Sequence, residues 1–287
     1  MKIILFGSSG QVGKEIKKKL SNTFQLICFN RIKADFLYPK RILEILDYYK
    51  PNIIINAAAY TKVDNAENNE DICFKINAEI LKFISEYSNK NKSLLIHFSS
   101  EYVFDGLSNI PYNEEEKMQP KSIYGNSKMY ADNYIKNSEC PYLILRTSWV
   151  YGDGINFINK IIDQIKSKKK LFVVDDQIGS PTPSTLLAEI ILKLINFIIL
   201  KELLLDIREV FNICPKGYTS RYNLACFIKS EIDIKTKDKL IKIKSNQLQN
   251  NIRPLNSMLN ISKISNFINV DIAHWSIYLE EYLKTYD

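Results

Sequence analysis

The sequence of 287 residues contains few of the side chains that build metal centres and disulfide frameworks. It has two histidines and five cysteines, and no two cysteines have the C-x-x-C spacing of zinc sites or thiol redox motifs. The pattern therefore indicates neither a structural metal site nor a disulfide scaffold. Scattered single cysteines are typical of a reducing compartment, so we expect a cytoplasmic protein.

Long apolar runs are also missing. A membrane span needs roughly 18–20 uninterrupted apolar residues, and the most apolar stretch, residues 186–205, is broken by charged and polar side chains. Its apolar positions recur at helical spacing, which predicts an amphipathic core helix. The N-terminal apolar run is short and leads directly into glycines, so we do not expect it to be a signal peptide.

The charge is unbalanced but dispersed. The net charge is +7, and lysines outnumber arginines 33 to 6. These lysines are spread along the chain rather than clustered in a basic stripe, which favours a solvated surface over a nucleic-acid interface.

The first motif is a glycine-rich turn. Residues 2–6 form a buried-strand pattern, and Gly7, Gly10 and Gly13 follow with G-x-x-G-x-x-G spacing before a helical pattern. Gly7 would allow the tight bend, Gly10 the approach of a diphosphate, and Gly13 the packing of the helix on the strand. A purely structural turn would also explain three glycines, but their place after an N-terminal strand favours nucleotide binding.

Strand and helix patterns then alternate along the chain. Strand patterns occupy residues 25–29, 53–55, 94–98, 171–174 and 210–214, with helical patterns near 39–49 and 71–88. This order predicts an α/β fold: a Rossmann-type doubly wound parallel sheet with a smaller C-terminal α/β substrate lobe. We place the NAD(P)-binding domain at 1–175 and the lobe mainly at 176–287, with a segment near 210–237 that could return to the sheet.

The end of the second strand bears on the choice of cofactor. NAD-preferring sites usually keep a carboxylate there for the ribose 2′-hydroxyl, whereas this sequence has Asn30 and Arg31. Arg31 could bind a 2′-phosphate, although a solvated loop arginine is the alternative. Asp35 and Phe36 follow at a distance suited to the adenine. The sequence thus predicts NADPH, with NADH possible.

The candidate catalytic residues lie between positions 100 and 128. Tyr124 and Lys128 are four residues apart and share one face if the segment is helical. A nearby lysine ammonium lowers the pKa of a phenol, which makes the phenol a usable proton donor. Ser100, after the strand at 94–98, could hydrogen-bond the same reacting oxygen. Tyrosine and lysine are abundant here, so position rather than composition carries this hypothesis.

Several runs together resemble one family. Residues 7–13, 56–59, 97–106 and 124–128 resemble the extended short-chain dehydrogenase/reductases, and residues 146–152, 176–182 and 253–257 narrow the resemblance to the dTDP-4-dehydrorhamnose reductase family. The resemblance implies reduction of a nucleotide-linked 4-keto-6-deoxysugar by NADPH, with Tyr124 as proton donor and Lys128 on the nicotinamide ribose. The implied cofactor contacts are Gly7, Gly10, Gln11, Val12, Asn30, Arg31, Asp35, Phe36, Ala59, Tyr60, Thr61, Phe98, Tyr124 and Lys128. The implied substrate contacts are Thr61, Val63, Ser100, Glu101, Tyr102, Trp149 and Arg253.

Three positions depart from the family pattern. A Thr-Asp pair is replaced by Ser100 and Glu101, a carboxylate by Asn30 and Arg31, and an Arg-Arg-Pro run by residues 252–254 with a single arginine. The first and third departures leave the exact sugar nucleotide open, and the second bears on the cofactor. One alternative is a reductase or epimerase of another deoxysugar nucleotide. Another is a non-catalytic NADP-binding regulatory subunit, against which the intact set of Tyr124, Lys128 and Ser100 argues. A homodimer and a need for Mg²⁺ are both compatible with the sequence, which shows neither.

Overall fold

The structure of the protein, a computed structural model, describes residues 1–167, 170–232, 240–248 and 252–284. Its strands are β1 (Lys2–Phe6), β2 (Gln25–Phe29), β3 (Ile53–Asn56), β4 (Leu94–Ser100), β5 (Tyr142–Thr147), β6 (Val150–Tyr151), β7 (Leu171–Val174), β8 (Ile178–Gly179), β9 (Thr182–Pro183), β10 (Arg208–Asn212), β11 (Thr219–Ser220), β12 (Leu240–Ile243) and β13 (Asn256–Ser257). Its α-helices are α1 (Gln11–Leu20), α2 (Pro39–Tyr49), α3 (Val63–Ala66), α4 (Glu70–Phe74), α5 (Ile80–Asn91), α6 (Ile123–Asn137), α7 (Phe157–Lys166), α8 (Ser184–Leu200), α9 (Arg221–Glu231), α10 (Ser262–Phe267) and α11 (Trp275–Leu283). A π-helical segment, Lys75–Glu79, joins α4 to α5.

Six parallel strands form the central sheet in the order β10-β5-β4-β3-β1-β2. Side chains of β1 alternate between its two faces, so that Ile3 and Leu5 join one hydrophobic core while Ile4 and Phe6 join the other. Helices α1 and α8 cover the first face, and α2, α5 and α6 cover the second. This arrangement confirms the Rossmann-type doubly wound fold. Strand β2 lies on one side of β1 and β3 on the other, so the strand order reverses at β1. Such a reversal opens a crevice at the carboxyl ends of β1 and β3.

The structure corrects the prediction in the C-terminal half. Strand β5 has no predicted counterpart, and β10 begins two residues before the predicted strand and pairs with β5. Helix α8, expected in the smaller lobe, packs instead on α1 and the central sheet through its buried apolar face. Glu189 and Lys193 form an ion pair outside that face, so the helix is amphipathic as predicted. Strand β7 pairs with β12 outside that sheet.

A separate hydrophobic core holds the smaller lobe together. It is built from α7, α9 and α11 with β7, and it includes Tyr151 and Trp275. Part of this core therefore precedes residue 176. The boundary between residues 175 and 176 stays a prediction, and residues 233–237 of the segment that could return to the sheet lie outside the described residues. No helix in the described part of the chain has both the length and the apolar character of a bilayer span.

The junction of β1 and α1 depends on two glycines in close contact. Gly7 has a φ of +79°, a region that favours glycine, and a Cβ on Gly13 would lie 2.1 Å from the carbonyl oxygen of Gly7. A methyl group cannot fit at that distance. Gly13 therefore lets the first turn of α1 approach the end of β1, as the sequence predicts.

We expect Gly13→Ala to destabilise the protein. Relief of the clash with Gly7 requires a shift of backbone rather than of a side chain, so the free energy of unfolding should fall by about 1–3 kcal/mol. Gly10→Ala is the matched control, because a Cβ there meets nothing closer than 3.4 Å, and its cost should stay below about 1 kcal/mol. Urea denaturation of both variants is the measurement, and equal stabilities would contradict the role of Gly13.

Candidate active site

A cleft of about 660 Å³ runs along the carboxyl edge of the central sheet. One wall comes from the turn before α1 and the ends of β3, β4 and β5, and the opposite wall comes from α7 and α9. The volume is within the usual range for small-molecule sites. The predicted site residues that line this cleft are Gly10, Gln11, Val12, Ala59, Thr61, Val63, Phe98, Ser100, Glu101, Tyr102, Tyr124, Lys128 and Trp149.

The turn before α1 has the features of an anion-binding loop. Gly10 is the N-cap of α1, its N–H donates to the carbonyl of Gly7 at 3.0 Å, and no side chain in the described residues caps the helix. The first N–H groups of α1 therefore face the cleft without a side-chain acceptor, and the helix dipole favours an anion there. The space beside Gly10 that a Cβ would fill stays open.

Helix α6 carries the predicted tyrosine and lysine into the cleft. Ser122 caps this helix by accepting a hydrogen bond from the Gly125 N–H at 3.0 Å. A Cβ on Gly125 would lie 2.3 Å from the carbonyl oxygen of Tyr102, so glycine is required for the helix to approach that strand end. Tyr124 and Lys128 are both buried, and the Lys128 ammonium donates to the carbonyl of Phe98 at 2.9 Å.

A buried ion pair fixes α6 to the sheet behind these residues. Arg146 of β5 donates from Nε and Nη2 to one carboxylate oxygen of Asp132, at 3.2 and 3.1 Å, and its Nη1 donates to the carbonyl of Glu114. Both side chains of the pair are almost fully buried. The pair thereby fixes the rotation of α6 that aims Tyr124 and Lys128 at the cleft.

The pKa of Tyr124 differs from the expectation that Lys128 lowers it. Burial raises the pKa of the Tyr124 phenol above its ordinary value, the Glu101 carboxyl raises that pKa further, and a hydrogen bond with Ser100 lowers it in part. Burial also lowers the pKa of Lys128 to about 8, against the opposing effect of Asp132. Lys128 is not among the main influences on Tyr124, so in this state the phenol is protonated and ready to donate.

Glu101 is buried beside these groups. The residue is only 3% exposed, and its carboxylate accepts a hydrogen bond from the Ser100 hydroxyl at 2.6 Å. Burial raises the pKa of this carboxyl to about 7, although Ser100 and Arg221 favour its charged form. Near neutral pH, Glu101 is therefore a group that exchanges a proton within reach of the cleft.

Trp149 lines the cleft in a strained conformation. Its φ is +46°, which is unusual for a bulky residue and costs roughly 1–3 kcal/mol. A Cβ on Gly179 would lie 2.6 Å from the indole, and the guanidinium of Arg221 lies 3.6 Å from the ring centroid. The indole is thus held between a glycine and an arginine. The sequence pattern gave no sign of Arg221.

Asn77 is a second residue that the sequence pattern missed. It lies in the π-helical segment, accepts from the Tyr60 N–H at 2.7 Å and donates to the Ser127 hydroxyl at 3.0 Å. It therefore connects the loop after β3 to helix α6. Irregular helical turns of this kind often occur at functional sites, but the helical period of residues 71–88 does not reveal one.

The residues predicted near the adenosine lie outside the main cleft. Arg31, Lys33, Asp35 and Arg41 line a separate cavity of about 720 Å³ after β2, where Arg31 is 72% exposed and 3.4 Å from Asp35. Asn30 accepts from the Lys33 N–H at 3.1 Å.

Phe36 is a core residue next to this segment. Its side chain is buried and packs edge-on against Phe6, with ring centroids 5.4 Å apart. The contact of Phe36 with the adenosine stays a prediction.

Arg253 lies beside the cleft rather than in it. It pairs with Asp64 at 2.7 Å and lines a cavity of about 570 Å³ that shares Tyr102 with the cleft. In the described residues, no three His, Cys, Asp or Glu side chains are arranged to hold a metal ion.

Comparison with known proteins gives one family. A family model described as RmlD substrate binding domain matches residues 1–287. The dTDP-4-dehydrorhamnose reductase of Escherichia coli (strain K12) is 31% identical over 295 residues, which cover 99% of this chain and 97% of that protein.

Solved structures agree with this match. A dTDP-4-dehydrorhamnose reductase from Clostridium acetobutylicum has a TM-score of 0.91 and 31% identity, covering 100% of this chain and 99% of the other. The Bacillus anthracis dTDP-4-dehydrorhamnose reductase in complex with NADP has a TM-score of 0.89 and 29% identity, covering 99% of both chains. The resemblance drawn from the sequence is confirmed: the chain belongs to the dTDP-4-dehydrorhamnose reductase family, matched along its whole length by the RmlD substrate binding domain model.

Proposed function

We propose that the protein reduces dTDP-4-dehydro-6-deoxy-L-mannose to dTDP-L-rhamnose with NADPH. The observation that carries this proposal is the protonated, buried phenol of Tyr124, which lies with Ser100 and Lys128 in the cleft that begins at the glycine loop. Membership of a family whose named relatives are dTDP-4-dehydrorhamnose reductases supports the same reaction.

The chain's own residues fit a dinucleotide. The uncapped start of α1 and the open space beside Gly10 suit a diphosphate, and the cavity after β2 offers Arg31 to a 2′-phosphate. NADP is bound in the Bacillus anthracis relative. NADPH, when bound, would supply the hydride that reduces the C4 carbonyl of the sugar.

Tyr124 would complete the reduction by protonating the carbonyl oxygen. Ser100 would hydrogen-bond that oxygen and hold it near the phenol. The resulting phenolate would be stabilised by the Lys128 ammonium on the same helix face, and solvent would return the proton. Lys128 would also bind the nicotinamide ribose, a role that family membership implies; its ammonium donates to the carbonyl of Phe98 and lines the cleft.

The direct test is incubation of the protein with NADPH and dTDP-4-dehydro-6-deoxy-L-mannose, with loss of absorbance from the reduced cofactor and appearance of dTDP-L-rhamnose as readouts. Turnover of this sugar supports the proposal. Turnover of other 4-keto sugar nucleotides alone would reject the assigned substrate, and NADPH binding without turnover of any of them would reject an enzymatic role.

Tyr124→Phe tests the proton donor. The substitution keeps the ring but removes the hydroxyl, so we expect kcat to fall roughly 10²–10⁴-fold, while NADPH affinity stays within a few-fold. Tyr134→Phe, on the same helix but outside the cleft, is the control and should keep full activity. A Tyr124→Phe enzyme with near-normal kcat would exclude this residue as the acid.

Arg31→Ala tests the choice of cofactor. A charge-assisted contact with a 2′-phosphate contributes on the order of 1.5–3 kcal/mol, or about ten- to a hundredfold in affinity. The wild type should therefore have a lower KM for NADPH than for NADH, and Arg31→Ala should remove most of the difference. Asn30→Asp keeps the acceptor for the Lys33 N–H and should shift preference towards NADH. Equal kcat/KM for both cofactors in the wild type would reject the hypothesis.

Glu101→Gln tests the effect of pH. Ionised Glu101 raises the pKa of Tyr124 and makes it a weaker acid, so wild-type kcat should decline as pH rises through about 7. The uncharged variant should lack this decline.

The pKa of Glu101 is also raised by folding. The contribution of this carboxyl to stability is therefore present at acidic pH and is lost as pH rises through about 7.

The same variant should therefore be more stable than the wild type at alkaline pH. We expect a difference on the order of 1–3 kcal/mol above pH 8 that shrinks towards pH 5. Thermal denaturation across this range is the measurement, with Glu86→Gln on the exposed surface of α5 as control. Parallel pH profiles of wild type and Glu101→Gln would contradict the role of this carboxyl.

A further inference from the structure

Arg221 lines the cleft, and its guanidinium is not used in hydrogen bonds with the described residues. It is the first residue of α9, and its backbone N–H donates to the carbonyl of Gln177 at 3.2 Å. Among the described residues, no side chain or carbonyl accepts a hydrogen bond from its guanidinium, and none forms an ion pair with it. A guanidinium carries five N–H donors, so this group has donors to offer to a ligand.

Two aromatic rings hold the guanidinium in place. It lies 3.6 Å from the ring centroid of Trp149 and 4.6 Å from that of Phe157. Stacking of this kind fixes the plane of an arginine while its edges stay free to donate. The Arg221 side chain is therefore preorganised.

The charges around Arg221 indicate which part of a ligand it would meet. Glu101, Tyr102 and Arg253 act on it electrostatically, and burial lowers the pKa of its guanidinium to about 10. Glu101 and Tyr102 line the same cleft as Arg221, and Arg253 lines the neighbouring cavity. Neither Glu101 nor any other described carboxylate is close enough to Arg221 for a salt bridge. Arg221 and Arg253 both act electrostatically on Tyr102, so positive charge near this tyrosine favours an anionic ligand.

The glycine loop makes the cofactor an unsuitable partner for Arg221. The start of α1 already provides a site for the cofactor diphosphate, whereas Arg221 stacks on Trp149 and interacts electrostatically with Glu101 and Tyr102. The second diphosphate in the reaction belongs to the sugar nucleotide. We propose that Arg221 binds the diphosphate of the sugar-nucleotide substrate. The inference rests on the proposed function, because it requires a nucleoside-diphosphate substrate.

Equilibrium binding of dTDP tests this proposal without turnover. Loss of the charged contact in Arg221→Gln should weaken dTDP binding by roughly 10- to 100-fold, while NADPH affinity stays within twofold of the wild type. Arg208→Gln is the matched control, since this exposed arginine lies on β10 and its Nη2 donates to the carbonyl of Glu139 far from the cleft. Calorimetry with dTDP and fluorescence titration with NADPH give the two affinities.

Arg221→Lys separates binding from folding. It keeps the charge but loses the stacked, planar donor set, so dTDP affinity should lie between those of the wild type and Arg221→Gln. The affinity of the wild type should also fall more steeply with salt than that of Arg221→Gln. If Arg221→Gln does not fold, Arg221→Lys replaces it in the test. A lower dTDP affinity of Arg221→Lys with unchanged NADPH affinity would then support the role of Arg221.

Several outcomes would overturn the proposal. These are dTDP affinity within twofold of the wild type in Arg221→Gln, an equal loss of NADPH and dTDP binding in both variants, or no saturable dTDP binding by the wild type. Failure of the proposed function is distinguishable. The protein could bind dTDP through Arg221 and yet not reduce dTDP-4-dehydro-6-deoxy-L-mannose. That result would support the role of Arg221 and reject the assigned sugar. Normal turnover with Arg221-independent dTDP binding would reject only the role of Arg221.

Discussion

The contact between Gly13 and the carbonyl of Gly7 sets the geometry on which the site depends. Because no side chain separates the first turn of α1 from the end of β1, the helix begins directly at the carboxyl edge of the sheet. Its unpaired N–H groups then lie in the same crevice as the ends of β3, β4 and β5. A larger residue at position 13 would move the anion-binding loop away from the groups that perform the chemistry.

The ionisable groups of the cleft depend on one another. Burial keeps Tyr124 protonated, and the same burial brings the pKa values of Glu101 and Lys128 close to neutrality. A low-dielectric cleft strengthens every one of these interactions, so the charge on one group changes the acidity of the next. Arg221 adds a positive charge at the end where the substrate would carry negative charge. The cleft is therefore best described as one electrostatic unit rather than as separate residues.

Much of this plan can be predicted from local sequence. The apolar run of β1 followed by three glycines predicts a strand, a turn and a helix start, because backbone freedom and burial are local properties. The four-residue spacing of Tyr124 and Lys128 predicts their shared helix face for the same reason. Local patterning is less informative for β5, which has no counterpart among the predicted strands. It also does not predict that α8 covers the central sheet rather than the smaller lobe.

The sequence by itself determined the parallel α/β plan, the glycine loop and the tyrosine–lysine pair, since each rests on residues that are neighbours in the chain. Only the tertiary structure decided which distant residues complete the site. Arg221 meets Trp149 through the packing of α9 against the strand ends, and Asn77 meets Ser127 through an irregular helical turn. Phe36 is buried in the core against Phe6. Such contacts depend on the packing of separate elements, which no spacing along the chain records.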